Sequence, residues 1–311
     1  MISVVVPVRD EAATVERLHE ELVAALDPVD SWEVVFVDDG STDETFVRLA
    51  RLHEAHANVR VVRLRRNRGK ATALAAGFAE AQGEVVVTLD GDLQDDPAEI
   101  PRLLAKLDEG FDLVSGWKAD RRDPVTRRVP SRVFNRVVGL VSGLRLHDMN
   151  CGLKAMTGEV AQELTLYGEL HRFVPLLAHE RGFRVAEVPV RHRARAHGRS
   201  RYGMERYLRG LLDLLTVAFL SRYRHRPLHL FGGLGLVLSA AGTAILAYLT
   251  VVKLSGAAIG GRPLLLLGAL LVVVGVQLLS LGLISELVTS HEADRARAAG
   301  DAERLVDEVL R

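Results

Sequence analysis

Two long stretches of the chain carry no Lys, Arg, Asp or Glu: Pro227 to Val252, and Pro263 to Ser285. As helices, Leu228 to Val252 and Leu264 to Val288 would each run about 37 Å, enough to cross a hydrocarbon core of about 30 Å. The alternative is a buried helical hairpin of a soluble protein. Arg222, Arg224 and Arg226 precede the first stretch, whereas the loop between the two has only Lys253 and Arg262. This asymmetry places the N-terminal part in the cytoplasm, and a second span returns the tail to the same side. Residues 203–226, charged early and apolar late, are expected to form an amphipathic helix at the bilayer surface. The charged, Ala-rich tail 290–311 is expected to be a short solvated helix or a frayed end. Ile2 to Val6 has neither a basic region nor a cleavage site behind a hydrophobic core, so no secretory signal is expected.

Over all 311 residues, 40 basic and 40 acidic side chains balance to zero, which argues against a nucleic-acid partner. Cys151 is the one cysteine, so neither an intrachain disulfide nor a multi-cysteine metal site is available. From the N-terminus to about residue 117, β-branched runs alternate with helical patterns. Ile2 to Val8, Glu33 to Val37, Val59 to Leu64, Glu84 to Leu89 and Asp112 to Trp117 read as strands. Repeated strand and helix imply βαβ units and an α/β fold built on a mostly parallel sheet. Residues 127 to 183 read as mainly helical, followed by a strand at Arg184 to Val190 and a basic loop.

In such sheets ligands sit beyond the carboxyl ends of the strands. Three strand ends carry carboxylates: VPVRDEAATV, VVFVDDGSTDET and VVVTLDGDLQDDP. Asp90 and Asp92 flank Gly91, a spacing that can turn two carboxylates toward one hard cation while the glycine permits close backbone approach. A divalent ion held there can neutralise a diphosphate. Asp38 and Asp39 can instead cap the helix that begins near Thr42. Lys70, at a helix start, suits an anion because helix N-terminal amides already favour one. Cys151 reads as a small buried residue rather than a nucleophile.

VPVRDEAATV, VDDGSTDET, NRGKATALAAGF and LDGDLQDDP resemble the inverting family 2 glycosyltransferases of the GT-A fold. GWKADRRDP, DMNCGLKAM, YGELHRFVP and GRSRYG, ahead of two spans, narrow the resemblance to bacterial polyprenyl-phosphate glycosyltransferases, relatives of dolichyl-phosphate mannose synthase. It covers essentially residues 1 to 290. It implies a GT-A domain over 1–202, the juxtamembrane helix 203–226, two transmembrane helices within 227–289 and the cytoplasmic tail 290–311. The activity implied is transfer of a hexose from a nucleotide-diphosphate sugar, UDP-glucose or GDP-mannose being examples, to a polyprenyl phosphate in the inner membrane.

By this resemblance Pro7, Asp10 and Glu11 edge the nucleotide pocket, Asp39 lies near the base or ribose, and Lys70 meets the donor phosphate. Asp10 stands where relatives often have Asn. Asp90, Asp92 and Gln94 match the positions for Mg2+ or Mn2+ and the diphosphate. Lys118, Arg127 and Ser131 match an acceptor-phosphate site, although relatives often carry Arg where Lys118 stands, and lysine lacks the bidentate fork. Arg199, Ser200, Arg201 and Tyr202 fall in a mobile cover over the donor; a basic stretch touching anionic headgroups is the other reading. Asp148 orients sugar or acceptor, with general base as a secondary role, and Lys154 completes its motif. A homo-oligomer (a tetramer by resemblance), a downstream flippase and a second glycosyltransferase are the implied partners. A processive polysaccharide synthase shares the donor half but carries a Q-x-x-R-W motif, in which neither Trp32 nor Trp117 sits. An inactive membrane scaffold is a further alternative, against which the intact Asp90, Asp92 and Gln94 weigh.

Overall fold

The computed structural model of the chain describes residues 1–118, 139, 143–193 and 227–298. The chain divides into two compact units, Met1–Val217 and Ala218–Arg311. In the first, the Val-rich runs form strands because β-branched side chains pack well on a pleated surface buried on both faces. The strands are β1 (Ile2–Val8), β2 (Trp32–Asp38), β3 (Val59–Arg63), β4 (Val85–Thr88), β5 (Leu113–Lys118), β6 (Lys154–Thr157) and β7 (Val185–Val190). Helices α1 (Val15–Leu26), α2 (Thr45–Ala55), α3 (Lys70–Glu80) and α4 (Ile100–Leu107) follow β1 to β4, and the short α5 (Gly158–Glu163) and α6 (Val174–Glu180) follow β6.

The sheet runs β3-β2-β1-β4-β6-β5-β7. β6 is antiparallel to both β4 and β5, while every other pairing is parallel. The expectation of mainly helix over 127 to 183 is therefore corrected at β6. This strand has four residues, and its partners lie about 70 residues upstream in β4 and about 40 upstream in β5, so nothing local marks it.

β1 is central yet contains Pro7, which lacks a ladder donor. The register explains this: β4 pairs with Ile2 to Val5 only. Val5 accepts the Leu89 N–H at 3.2 Å on the β4 side. Pro7, two residues on, faces that same side, where β4 has already ended. The vacated edge is filled by Gly91, whose backbone lies so close to β1 that a Cβ there would stand 2.6 Å from Val8 Cγ1.

The second unit contains α7 (Pro227–Leu254) and α8 (Pro263–Ala298). Both are long and apolar enough to cross a membrane. Only 17% of the most apolar window of the first and 11% of the second is buried, which sets them apart from the core helices of a soluble protein. α8 continues without a break to Ala298, so the first part of the tail prolongs the second span. Two side-chain hydroxyls inside the spans return to helix carbonyls, Thr250 to Leu246 at 2.8 Å and Ser280 to Val276 at 3.0 Å, which satisfies them without water. Glu286 Oε2 accepts the Leu228 N–H at 3.2 Å, satisfying one of the free donors at the start of α7.

The two helices meet on glycine. A Cβ at Gly275 would lie 2.2 Å from Ser239 Oγ and 2.6 Å from the Gly235 carbonyl, and one at Gly242 would lie 2.7 Å from the Gly268 carbonyl. Small residues permit this approach where lipid supplies no hydrophobic drive. Gly275→Leu is expected to force the helices apart and lower the thermal midpoint in detergent by several degrees. Gln277→Leu, on an exposed part of the same helix, should leave it unchanged.

Candidate active site

The loops after β1, β2 and β4 converge. Asp10, in the left-handed region at φ 55°, donates its N–H to Ser41 Oγ at 3.0 Å, and its Oδ1 accepts the Thr42 N–H at 2.8 Å. The Glu11 N–H is held by Thr45 Oγ1 at 2.8 Å. Thr14 Oγ1 donates to the Gly91 carbonyl at 2.8 Å, tying the start of α1 to the Asp-Gly-Asp turn. Asp38, fully buried, accepts the Ser41 N–H at 2.9 Å inside the loop after β2; α2 begins only at Thr45, with Glu44 at its N-cap, so the helix-capping alternative for Asp38 and Asp39 is corrected to a loop-bracing one. Asp39 accepts from Arg68 N at 2.7 Å and Gly69 N at 2.9 Å, so it fixes the loop that delivers Lys70 to the first turn of α3.

Lys70 Nζ donates to Asp90 Oδ1. Burial alone would raise the Asp90 carboxyl, but the Lys70 ammonium, aided by Lys118 and Lys154, outweighs burial and holds it at about 2. The turn then tightens: Asp92 Oδ1 accepts the Gln94 N–H at 3.1 Å, and Leu93 between them is buried at φ 61°, a conformation costly for a leucine. The Gln94 carbonyl accepts the Arg193 N–H at 2.8 Å. Asp90 and Asp92 are two carboxylates, both partly exposed, a set that suits a hard cation taking the rest of its shell from phosphate and water. Among the described residues no three His, Cys, Asp or Glu side chains converge as a complete cage.

A cavity beside this turn is lined by Lys70, Thr88, Asp90, Asn150, Gly152, Lys154 and His171 among others. Gly152 is the point of closest approach. A Cβ there would lie 2.6 Å from Asp95 Oδ2 and 2.7 Å from Asp90 Cγ, so two carboxylates pack on one glycine. Lys154, on β6, is buried and donates to the Cys151 carbonyl; burial lowers its ammonium. The Cys151 thiol is pushed up to about 12, by burial first and by Asp95 next, consistent with an inert packing residue. Asp148 is buried, and its Oδ1 accepts the Asn150 N–H at 3.2 Å.

Lys118 ends β5 with its ammonium 3.4 Å from Asp95 Oδ1. Burial would lower Lys118, but Asp95 and other nearby acids hold it above its ordinary value. Arg127, Ser131 and the loop residues Arg199, Ser200, Arg201 and Tyr202 lie outside the described residues, as does the segment 203–226. Two residues that the sequence did not single out stand in this centre. Asp95 follows Gln94 directly and is 1% exposed. His171 is pushed down to about 3, by burial first and then by Lys70, Arg172 and Lys154, and is therefore neutral. Its motif, YGELHRFVP, was the available signal.

The Glycosyl transferase family 2 signature matches residues 3–165. Dodecaprenyl-phosphate galacturonate synthase of Rhizobium johnstonii is 40% identical over 92% of this chain and 87% of its own. Undecaprenyl-phosphate 4-deoxy-4-formamido-L-arabinose transferase of Pseudomonas aeruginosa is 37% identical over 98% of this chain and 90% of its own. Among solved structures, glucosyl-3-phosphoglycerate synthase from Mycobacterium tuberculosis, in complex with Mn2+, uridine-diphosphate and phosphoglyceric acid, aligns with a TM-score of 0.53 at 23% identity. That match covers 70% of this chain and 77% of that one, and shows the fold. With the signature over half of its length, the three carboxylate-bearing strand ends inside that signature and relatives matched almost end to end, the chain belongs to glycosyl transferase family 2.

Proposed function

We propose that the protein transfers a sugar from a nucleotide-diphosphate donor to a polyprenyl phosphate at the cytoplasmic face of the inner membrane, inverting the anomeric centre. The observation that carries this reading is the Lys70–Asp90 pair beside Asp92 at the carboxyl end of β4, where a cation and a diphosphate would meet. The apolar hairpin and the polyprenyl-phosphate chemistry in the relatives' names support the acceptor. The donor is a UDP- or GDP-linked hexose, such as UDP-glucose or GDP-mannose, or a modified sugar of the kind those names carry.

Pro7, Asp10, Glu11 and Asp39 would edge the nucleotide. Asp90, Asp92 and Gln94 would hold Mg2+ or Mn2+, which when bound neutralises the departing diphosphate. Lys118, with Arg127 and Ser131, would hold the lipid phosphate, and the loop Arg199 to Tyr202 would cover the donor. One phosphate oxygen attacks the anomeric carbon as the bond to the nucleotide diphosphate breaks. That oxygen is already anionic at neutral pH, so Asp148 orients sugar or acceptor and base catalysis is secondary. Residues 1–202 form the catalytic domain in this reading, with the juxtamembrane helix 203–226, the spans within 227–289 and the cytoplasmic tail 290–311. A homo-oligomer, and a flippase and second transferase that use the product, complete it.

Membranes holding the full chain, given a panel of labelled UDP- and GDP-sugars with added polyprenyl phosphate, should move label into the lipid extract from at least one donor and lose it with chelator. Label that stays with the nucleotide across the panel would reject the transfer. A cysteine placed at Gly260 should react with an impermeant reagent only from the face opposite the catalytic domain; reaction from the cytoplasmic side would reject the two-span orientation.

A further inference from the structure

Lys118 is a lysine at a position where flexibility is a disadvantage, because a four-carbon stem must be held to aim one ammonium. The structure contains the group that holds it. Asp95 is 1% exposed, its Oδ1 is 3.4 Å from Lys118 Nζ, and among the described residues neither of its oxygens has a hydrogen-bond donor at ordinary distance. A carboxylate so buried is costly unless a cation faces it. The Lys118 side chain, 15% exposed, is that cation. The far oxygen, Oδ2, lies where a Cβ on Gly152 would stand 2.6 Å away, and the backbone at Asp95 bridges to His192, so Asp95 is held on both its backbone and its side-chain side. An ammonium carries three donors, and one carboxylate oxygen at this distance engages at most one of them.

We propose that Asp95 is a positioning residue that fixes the Lys118 ammonium so that its remaining N–H donors face an incoming lipid phosphate. The pair thereby links the Asp-Gly-Asp turn to the acceptor side of the site. This rests on the reading of the acceptor as a polyprenyl phosphate. Asp95 touches no substrate in this arrangement and acts through Lys118 alone, which gives the proposal a signature that packing does not share.

The full-length protein in nanodiscs is titrated with undecaprenyl phosphate, and separately with UDP and Mn2+ as the donor-side probe. Asp95→Asn and Lys118→Met are each expected to weaken lipid binding roughly tenfold, the equivalent of about 1.4 kcal/mol. The double variant should be no weaker than Lys118→Met alone, since Asp95 then has nothing to position. UDP binding should stay within about twofold throughout, which also reports that each variant is folded. Asp95→Ser, smaller and uncharged, takes the same comparison if Asp95→Asn does not fold. Additive losses in the double variant, equal losses of UDP and lipid, or wild-type lipid binding in both Asp95 variants would each overturn the proposal. Wild-type protein that ignores undecaprenyl phosphate altogether would instead overturn the acceptor reading, and the proposal with it.

Discussion

Asp90→Asn and Asp92→Asn are each expected to lower sugar transfer by at least about 100-fold while leaving the protein folded and in the membrane. The change removes a charge and keeps the volume, so the loss reads electrostatics and little else. For Asp90 the consequence extends to the apo protein. Its carboxyl lies below the ordinary value of 3.8, at about 2, because Lys70 outweighs the cost of burial. A group whose folded value is depressed adds stability above its unfolded value, and that contribution disappears as pH falls through the folded one. The stability difference between wild type and Asp90→Asn should therefore be full near neutrality and shrink from about pH 4 toward pH 2. Thermal midpoints across that range check it. Near-normal turnover in Asp92→Asn would reject the metal assignment, and a pH-independent stability gap would reject the Lys70 account.

Gly152→Ala is expected to be nearly as damaging, although it alters no charge. The added carbon would sit 2.6 Å from one Asp95 oxygen and 2.8 Å from Asp90 Oδ1. Both carboxylates are anchored, Asp90 by Lys70 and Asp95 by Lys118, so neither can retreat without breaking an ion pair. Overpacking of this kind costs about 1–3 kcal/mol, and a displacement near 1 Å at a reacting centre can cost about 100-fold in rate. The variant should bind UDP with Mn2+ poorly and turn over slowly even where it is folded. Gly143→Ala is the contrast: a Cβ there meets nothing within 4 Å, but its φ of 79° strains an alanine, so any effect should be on stability and not on turnover.

The strands were legible because two-sided burial writes them as Val-rich runs, and the Asp-Gly-Asp turn because both carboxylates fall within three residues directly after one of those runs. The spans were legible from the missing charges. What escaped the sequence depends on pairings across long separations. β6 exists because β4 and β5 leave a gap between them, and its four residues show no period of their own. Asp95 reads as one more loop acid until Lys118, 23 residues later, closes on it. Gly152 carries no signal of its own within DMNCGLKAM, although it provides room for two carboxylates. The glycines of α7 and α8 have the same character: Gly235 faces Gly275 and Gly242 faces Gly268, a match visible only once the helices are folded against each other. Pro7 shows the converse, a residue that argues against a central strand and is accommodated because β4 stops short of it.

Everything proposed for the site turns on a lipid phosphate accepting one sugar. Purified full-length protein, a donor identified from the nucleotide-sugar panel, Mn2+, and either undecaprenyl phosphate or undecaprenol test this directly, with products resolved by mass. A single sugar added to the phosphate, no product from the alcohol and no transfer once the cation is chelated are expected. Efficient transfer to undecaprenol, or a product that lengthens with time into a polysaccharide, would contradict the lipid-phosphate reading.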